Sequence, residues 1–254
     1  MTWAAGELAP QPGAASPSRM LGAQTRAELT LILRNPEQVL LTLVIPLVLL
    51  VLLTEVTIVD VAGRRVDFFV PGIMALAVMS SSFTGQAIAT GFDREYAVLK
   101  RLGATPLPRS VLLLAKTLAT LTVELLQLVV IAAVGLTLGW HPHGDPLSFL
   151  AVLALGTAAF SGLGLLLGGT LRGLQSLAVA NVLWFALLLA GGILFPLTRF
   201  GGGEDLLRLL PSAALADGLR SVLQHAGHPL RDGAVLAVWA LLSLTAAAKA
   251  FRWE

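Results

Sequence analysis

Thr117, Thr120, Glu124 and Gln127 are spaced 3, 4 and 3 apart inside a long apolar run, which places them on one stripe of a helix. In a bilayer each such group costs roughly a few kcal/mol unless it faces protein or water. Two kinds of chemistry fit the stripe. It can line a substrate path or a subunit seam, with Glu124 attracting a cationic or hydrogen-bonding group, or Glu124 can hydrogen-bond a neighbouring helix as packing glue. Ser80, Ser81, Ser82, Thr84 and Gln86 in one apolar run, and Gln175, Ser176 and Asn181 in another, are candidates to join it. Of these, Ser81 and Asn181 are taken as path or seam residues, although small hydroxyls in spans more often serve close packing.

Catalytic patterns are absent. There is no GxxxxGK[ST] to bind ATP, no GxSxG and no HExxH. Glu124 is the only acid deep in an apolar run, so a catalytic carboxylate pair is lacking. His141, His143, His225 and His228 read as loop residues, and no metal site is expected from them. With no cysteine, disulfides, zinc-thiolate sites and thiol nucleophiles are excluded.

The second candidate for function is the charged stretch from Phe92 to Lys116, which lies between two runs greasy enough to span a bilayer. A short helix is expected over Asp93 to Gly103, with Asp93 and Glu95 in its first turn, Lys100 and Arg101 in its last, and Gly103 as a left-handed stop. Val98 and Leu102, with Leu99 beside them, give it an apolar side, leaving Asp93, Arg94, Lys100 and Arg101 free for a polar partner. Thr105 and Pro106 read as the N-cap and first residue of the next helix. An ordinary loop kept in water by its charges is the plainer reading.

What must position these groups is membrane. Hydrophobic residues make up 56% of the 254, charged residues only 13%, and soluble domains carry about a quarter charged. Spans of about 20 residues allow several crossings and no separate soluble domain. The net charge of +2 comes without a basic cluster, so a nucleic-acid partner is not expected.

Residues 1–18 read as a disordered tail and 19–254 as one transmembrane domain. Arg19 to Leu33 is an expected interfacial helix. Asn35-Pro36-Glu37 should start the first span, about 39–56, with a kink at Pro46. The second span, 69–91, is expected to open at Pro71-Gly72, and 111–138, 147–170 and 174–195 follow. The fourth carries small residues at Ala154, Ala158 and Gly162, with Gly164 and Gly168, and should be tightly packed. In the long connector after it, Ser212 should cap an amphipathic helix with Leu215, Leu219, Val222 and Leu223 on one side and Asp217, Arg220 and Gln224 opposite. The sixth span, 234–251, ends at the aromatic anchors Phe251 and Trp253. Lys116 is expected to snorkel to the interface.

Arg19, Arg26, Arg34, Arg94, Lys100, Arg101, Arg109, Arg172, Lys249 and Arg252 fall on one side of a six-span layout, against Arg64 and Arg65 in the short loops opposite. Both termini are therefore expected in the cytoplasm.

Three segments carry a family resemblance: ILRNPEQVLLTLVIPLVLL (Ile32 to Leu50), FFVPGIMALAVMSSSFTGQAIATGFDREYAVLKRLGATPLPRSVLLLAK (Phe68 to Lys116) and LPSAALADGLRSVL (Leu210 to Leu223). Within them the ordered set is Arg34-Asn35-Pro36, Pro71-Gly72, Asp93-Arg94-Glu95, Leu102 to Pro106, and Lys116. Together they resemble the permease subunit of ABC-2 type transporters, and more narrowly the daunorubicin-type drug-resistance exporters. That family usually continues its acidic-basic-acidic triplet with Gly, where this chain has Tyr96.

The resemblance implies an all-α membrane bundle of six transmembrane helices with an N-terminal interfacial helix. It implies a coupling helix docking in an ATPase through Asp93, Arg94, Glu95, Val98, Lys100, Arg101 and Leu102, and an external re-entrant element before the last span. Its expected partners are ABC ATPase subunits, which would bind ATP and magnesium, and a second permease half; no cofactor is expected on this chain. The implied activity is export of a hydrophobic or amphiphilic compound across a bacterial inner membrane by alternating access. Export of a polysaccharide or glycolipid by the same family, and ion-coupled secondary transport, are the alternatives.

Overall fold

The computed structural model describes residues 13–57, 59–61, 63–225 and 229–251, and among these the regular structure is entirely helical. The helices are α1 (Pro17–Leu33), α2 (Pro36–Glu55), α3 (Arg65–Val78), a π-helical segment (Met79–Gly85), α4 (Gln86–Glu95), α5 (Val98–Gly103), α6 (Arg109–Thr137), α7 (Pro146–Thr170), α8 (Gly173–Ala190), a 3-10 stretch (Leu197–Gly203), α9 (Glu204–Leu207), α10 (Pro211–His225) and α11 (Leu230–Ala250). Among the described residues, five helices are long and apolar enough to cross a membrane: Arg65–Glu95, Arg109–Thr137, Pro146–Thr170, Gly173–Ala190 and Leu230–Ala250. The remaining expected span is α2, whose shorter apolar part runs Thr42–Glu55.

The column Arg65–Glu95 is the best enclosed, with α2, α6, α7, α8 and α10 packed on it. It opens at Arg65, six residues before the expected Pro71-Gly72, which lies inside α3. Pro71 cannot donate to the Asp67 carbonyl one turn back, and Gln224 Nε2 donates to that carbonyl instead. Arg65 itself holds the end of α2: its Nε lies 3.1 Å from the carbonyls of Leu53 and Thr54, and Nη1 lies 2.8 Å from that of Val59. A guanidinium thus takes up carbonyls that a helix end leaves unpaired.

α7 runs between this column and α11, and glycine is what lets it do so. A Cβ on Gly164 would stand 2.6 Å from the carbonyl oxygen of Phe83, and one on Gly168 2.6 Å from that of Ala87. Gly162 meets Ser243 of α11, whose Oγ donates to the Ala159 carbonyl at 3.0 Å. The close packing of α7 therefore rests on Gly164 and Gly168 toward this column and on Gly162 toward α11, while Ala154 is exposed and Ala158 only half-buried.

Other boundaries moved. α1 starts at Pro17, two residues inside the expected tail, and residues 1–12 of that tail lie outside the described residues. α8 ends at Ala190 instead of 195, and the chain reverses at Gly191 and Gly192, the latter at φ 65. At 18 residues α8 is about 27 Å long, shorter than its neighbours, and α10 fills the space beyond its end. α10 begins at Pro211, so Ser212 is a fully buried first-turn residue and not its cap. Phe251 is not a surface anchor: it is 1% exposed and packs over Gly169. Trp253 and Arg252 lie outside the described residues.

Candidate functional site

The π-helical segment decides where the membrane-embedded polar groups go. Its sequence, MSSSFTG, widens the turn so that three consecutive serines reach two neighbouring helices, Ser80 toward α8 and Ser81 and Ser82 toward α6. Ser80 donates to the Leu76 carbonyl at 2.7 Å and accepts from Trp184 Nε1 of α8 at 3.0 Å. Ser81 donates to Gln127 Oε1 at 2.9 Å. Ser82 donates to Glu124 Oε1, and the other carboxylate oxygen accepts from Thr157 of α7 at 2.6 Å. Glu124 is completely buried and ties three helices through two hydroxyls.

Gln127 continues this network, donating from Nε2 to the Thr42 carbonyl of α2 at 2.9 Å. The stripe expected on α6 is therefore real at Thr120, Glu124 and Gln127, all buried. Thr117 departs from it, since its hydroxyl donates to the Leu113 carbonyl of its own helix at 3.0 Å. Asn181 sits half-buried on α8, away from the cavity described next.

That cavity, about 300 Å³, lies between α1, α2, the π-helical segment, α4 and α6. Thr120, Gln127 and Ser81 stand in its wall, while Glu124 lies behind them. At one end sits a cluster of three charges. Lys116 Nζ is 2.9 Å from Glu28 Oε2 of α1 and 2.8 Å from Asp93 Oδ2 of α4. Its side chain is only 6% exposed, so the expected snorkelling does not occur. Two inward-facing carboxylates offer it more than water at the interface would, because charge-assisted bonds strengthen where solvent is excluded. Glu28 was missed in the sequence, where nothing marked it beyond being an acid on a helix of mixed composition.

The expected coupling helix is broken. Asp93 and Glu95 end α4, Ala97 takes a left-handed conformation at φ 57, and a separate helix begins at Val98. Gly103 belongs to that helix, and the left-handed residue precedes it instead of following it. The next helix begins at Arg109, after Pro108; Thr105 points back, donating to the Leu102 carbonyl at 2.6 Å.

This break sorts the coupling candidates into two groups. Asp93 is held by Lys116, and Arg94 donates to the Gly169 carbonyl of α7 at 3.0 Å, so both are tied into the bundle. Leu99 is fully buried against Leu112, Leu165 and Phe251, with Leu102 packed on the edge and Val98 half-buried. Glu95, Tyr96, Lys100 and Arg101 are exposed. Of the expected apolar side, Leu99 is the most deeply buried, with Leu102 packed beside it.

At the opposite end of the bundle α10 is enclosed by α3, α7 and α11, with Leu215, Leu219, Val222 and Leu223 all buried. Its expected polar side is not exposed either. Arg220 donates to the Phe68 carbonyl at 3.3 Å and the Ile193 carbonyl at 3.1 Å, and its guanidinium lies 3.8 Å from the Phe68 ring centroid. Burial pulls this guanidinium down to about 10, with the Asp217 carboxylate opposing that, so it stays charged at neutral pH. α10 is thus seated on protein, its apolar face lying against α3, α7 and α11.

Among the described residues no three of His, Cys, Asp and Glu gather as a metal site, and the side chains of His225 and His228 are outside them. The fold is that of an all-helical, multi-pass membrane protein with a buried polar core. Residues 20–223 match the ABC-2 type transporter family, and the chain belongs to it. It is also similar to a candidate transport permease of Bacillus subtilis (strain 168), YvfS, with 27% identity over 182 residues, covering 70% of this chain and 74% of that protein.

Proposed function

We propose that this chain is the membrane-spanning permease subunit of an ATP-driven exporter, moving a hydrophobic or amphiphilic compound out of a bacterial cytoplasm. ATP is hydrolysed on separate ABC ATPase subunits, and a second permease half completes the pathway. Both chain termini and α5 face the cytoplasm, in keeping with the basic residues gathered at that end.

The observation that carries this reading is the mechanical continuity from an exposed tip to the cavity. Glu95, Tyr96, Lys100 and Arg101 are exposed, while Leu99 roots α5 in a small apolar core shared by α6, α7 and α11. A few residues away, Asp93 joins α4 to Lys116 of α6 and through it to Glu28 of α1. A push on the tip is therefore delivered to three helices that wall the cavity, as alternation between two openings requires.

The test is co-purification of the tagged chain from native membranes in mild detergent, with ATP hydrolysis as readout. Recovery of an ABC ATPase that is lost in Lys100→Glu/Arg101→Glu supports the reading. Recovery of the chain alone, folded, under every extraction condition rejects it.

A further inference from the structure

We propose that the outer face of α1 binds anionic lipid head groups through Arg19, Arg26 and Arg34. This goes beyond the exporter reading and requires only that the chain is embedded in a bilayer.

α1 has two unlike sides. One packs along α6, and the single acid of the helix, Glu28, is turned that way to Lys116. On the side facing away, seven and then eight residues separate Arg19, Arg26 and Arg34, close to two helical turns each, so the three form one row about 22 Å long. All three are exposed, and among the described residues none of their guanidiniums has a hydrogen-bond or ion-pair partner. Gly22, Ala23 and Ala27 between them are exposed too, and a Cβ on Gly22 would meet nothing within 4 Å. The face is therefore a row of positive charges with small residues between them and no acid, open to the close approach of an anion.

Its neighbours decide which anion. Leu31 and Leu33, which flank the row, are 67% and 49% exposed. α2 is joined to α1 through only Arg34 and Asn35, and it leaves Leu40, Ile45 and Val48 more than half exposed. Acyl chains are what cover side chains of that kind, so the junction of the two helices lies where acyl chains give way to head groups. Position thus selects a lipid phosphate over a soluble anion. A guanidinium meets phosphate oxygens with parallel N–H bonds, and a lipid of net negative charge adds an attraction that zwitterionic phosphatidylcholine lacks, worth roughly fivefold per arginine near a bilayer surface.

The chain has no cysteine, so Ala23→Cys places a single bimane fluorophore between Arg19 and Arg26. The full chain labelled there is reconstituted in phosphatidylcholine nanodiscs with rising fractions of phosphatidylglycerol or phosphatidylcholine carrying a nitroxide close to the head group, and quenching is read. Phosphatidylglycerol should reach half-quenching at a fraction at least roughly tenfold below that of phosphatidylcholine. Arg19→Gln/Arg26→Gln/Arg34→Gln should cut this preference to under about twofold, whereas the matching triple lysine variant, which keeps the charge, should retain most of it. Should the triple variant fold poorly, Arg26→Gln alone keeps the test alive, with a preference roughly fivefold smaller than the parent's. Equal quenching by the two lipids in the parent, or an intact preference in the glutamine triple, overturns the assignment. An ABC ATPase that co-purifies with the parent and is lost in the glutamine triple also overturns it, since a protein would then cover the face. The lipid readout involves no ATPase, so it holds or fails apart from the exporter reading.

Discussion

Lys116 Nζ lies 2.8 Å from Asp93 Oδ2, joining the end of one membrane-spanning column to the start of the next across 23 residues of chain that hold the exposed tip. The same ammonium reaches Glu28, so the fold uses one cation to fasten three helices.

Removing that cation leaves two carboxylates facing each other with little water. Lys116→Met should therefore destabilise the protein by about 3 to 5 kcal/mol, the usual loss when one member of a buried ion pair is deleted. Thermal unfolding in detergent should show a marked fall in Tm. The triple variant Lys116→Met/Glu28→Gln/Asp93→Asn should recover part of it, and an unchanged Tm in the single variant would mean the triad carries no weight.

Glu124 provides a contrast between packing and function. Ala at this position strands the Ser82 and Thr157 hydroxyls and should cost about 2 to 4 kcal/mol. Glu124→Gln keeps an acceptor oxygen and the shape, so its stability should fall within about 1 kcal/mol of the parent. Comparing the two by unfolding, and Glu124→Gln by transport, separates the roles: normal transport in the Gln variant assigns Glu124 to packing.

Gly164 is set by contact with the π-helical segment. The Cβ of Gly164→Ala would sit 2.6 Å from one backbone oxygen and 2.8 Å from another, and backbone cannot rotate aside as a side chain can. A loss of about 1 to 3 kcal/mol is expected from such overpacking. Gly202→Ala is the control, with nothing within 4 Å of the new methyl and no positive φ, and should leave Tm unchanged.

The two groups of coupling candidates should separate experimentally. Arg94→Ala cuts a hydrogen bond between α4 and α7, so a lower Tm is expected before any effect on a partner. Lys100→Glu/Arg101→Glu alters exposed charges only and should leave Tm within about 0.5 kcal/mol equivalent while abolishing ATPase recovery. If Arg94→Ala is fully stable, the assignment of Arg94 to the bundle interior is wrong.

Much of the fold was legible. Long apolar runs marked the spans at Arg109–Thr137 and Pro146–Thr170 almost to the residue, because a bilayer demands a continuous apolar helix and the polar interruptions were sharp. The stripe Thr120, Glu124 and Gln127 followed from helical periodicity, as did the buried face of α10. Gly103 misled because glycine usually marks a helix stop. The left-handed turn fell instead on Ala97, where the burial of Leu99 and the fastening of Asp93 to Lys116 set the chain's direction.

What the sequence determined by itself was the class of protein, the number of apolar columns and the polar residues among them, since these depend on composition and local period alone. Only the tertiary structure decided the partners. Whether Lys116 reaches water or Glu28, whether Arg94 points out or to Gly169, and which serine meets which helix through the π-helical turn depend on residues far apart in the chain. A side chain's solvation is a property of its neighbours in space, and no local spacing encodes that.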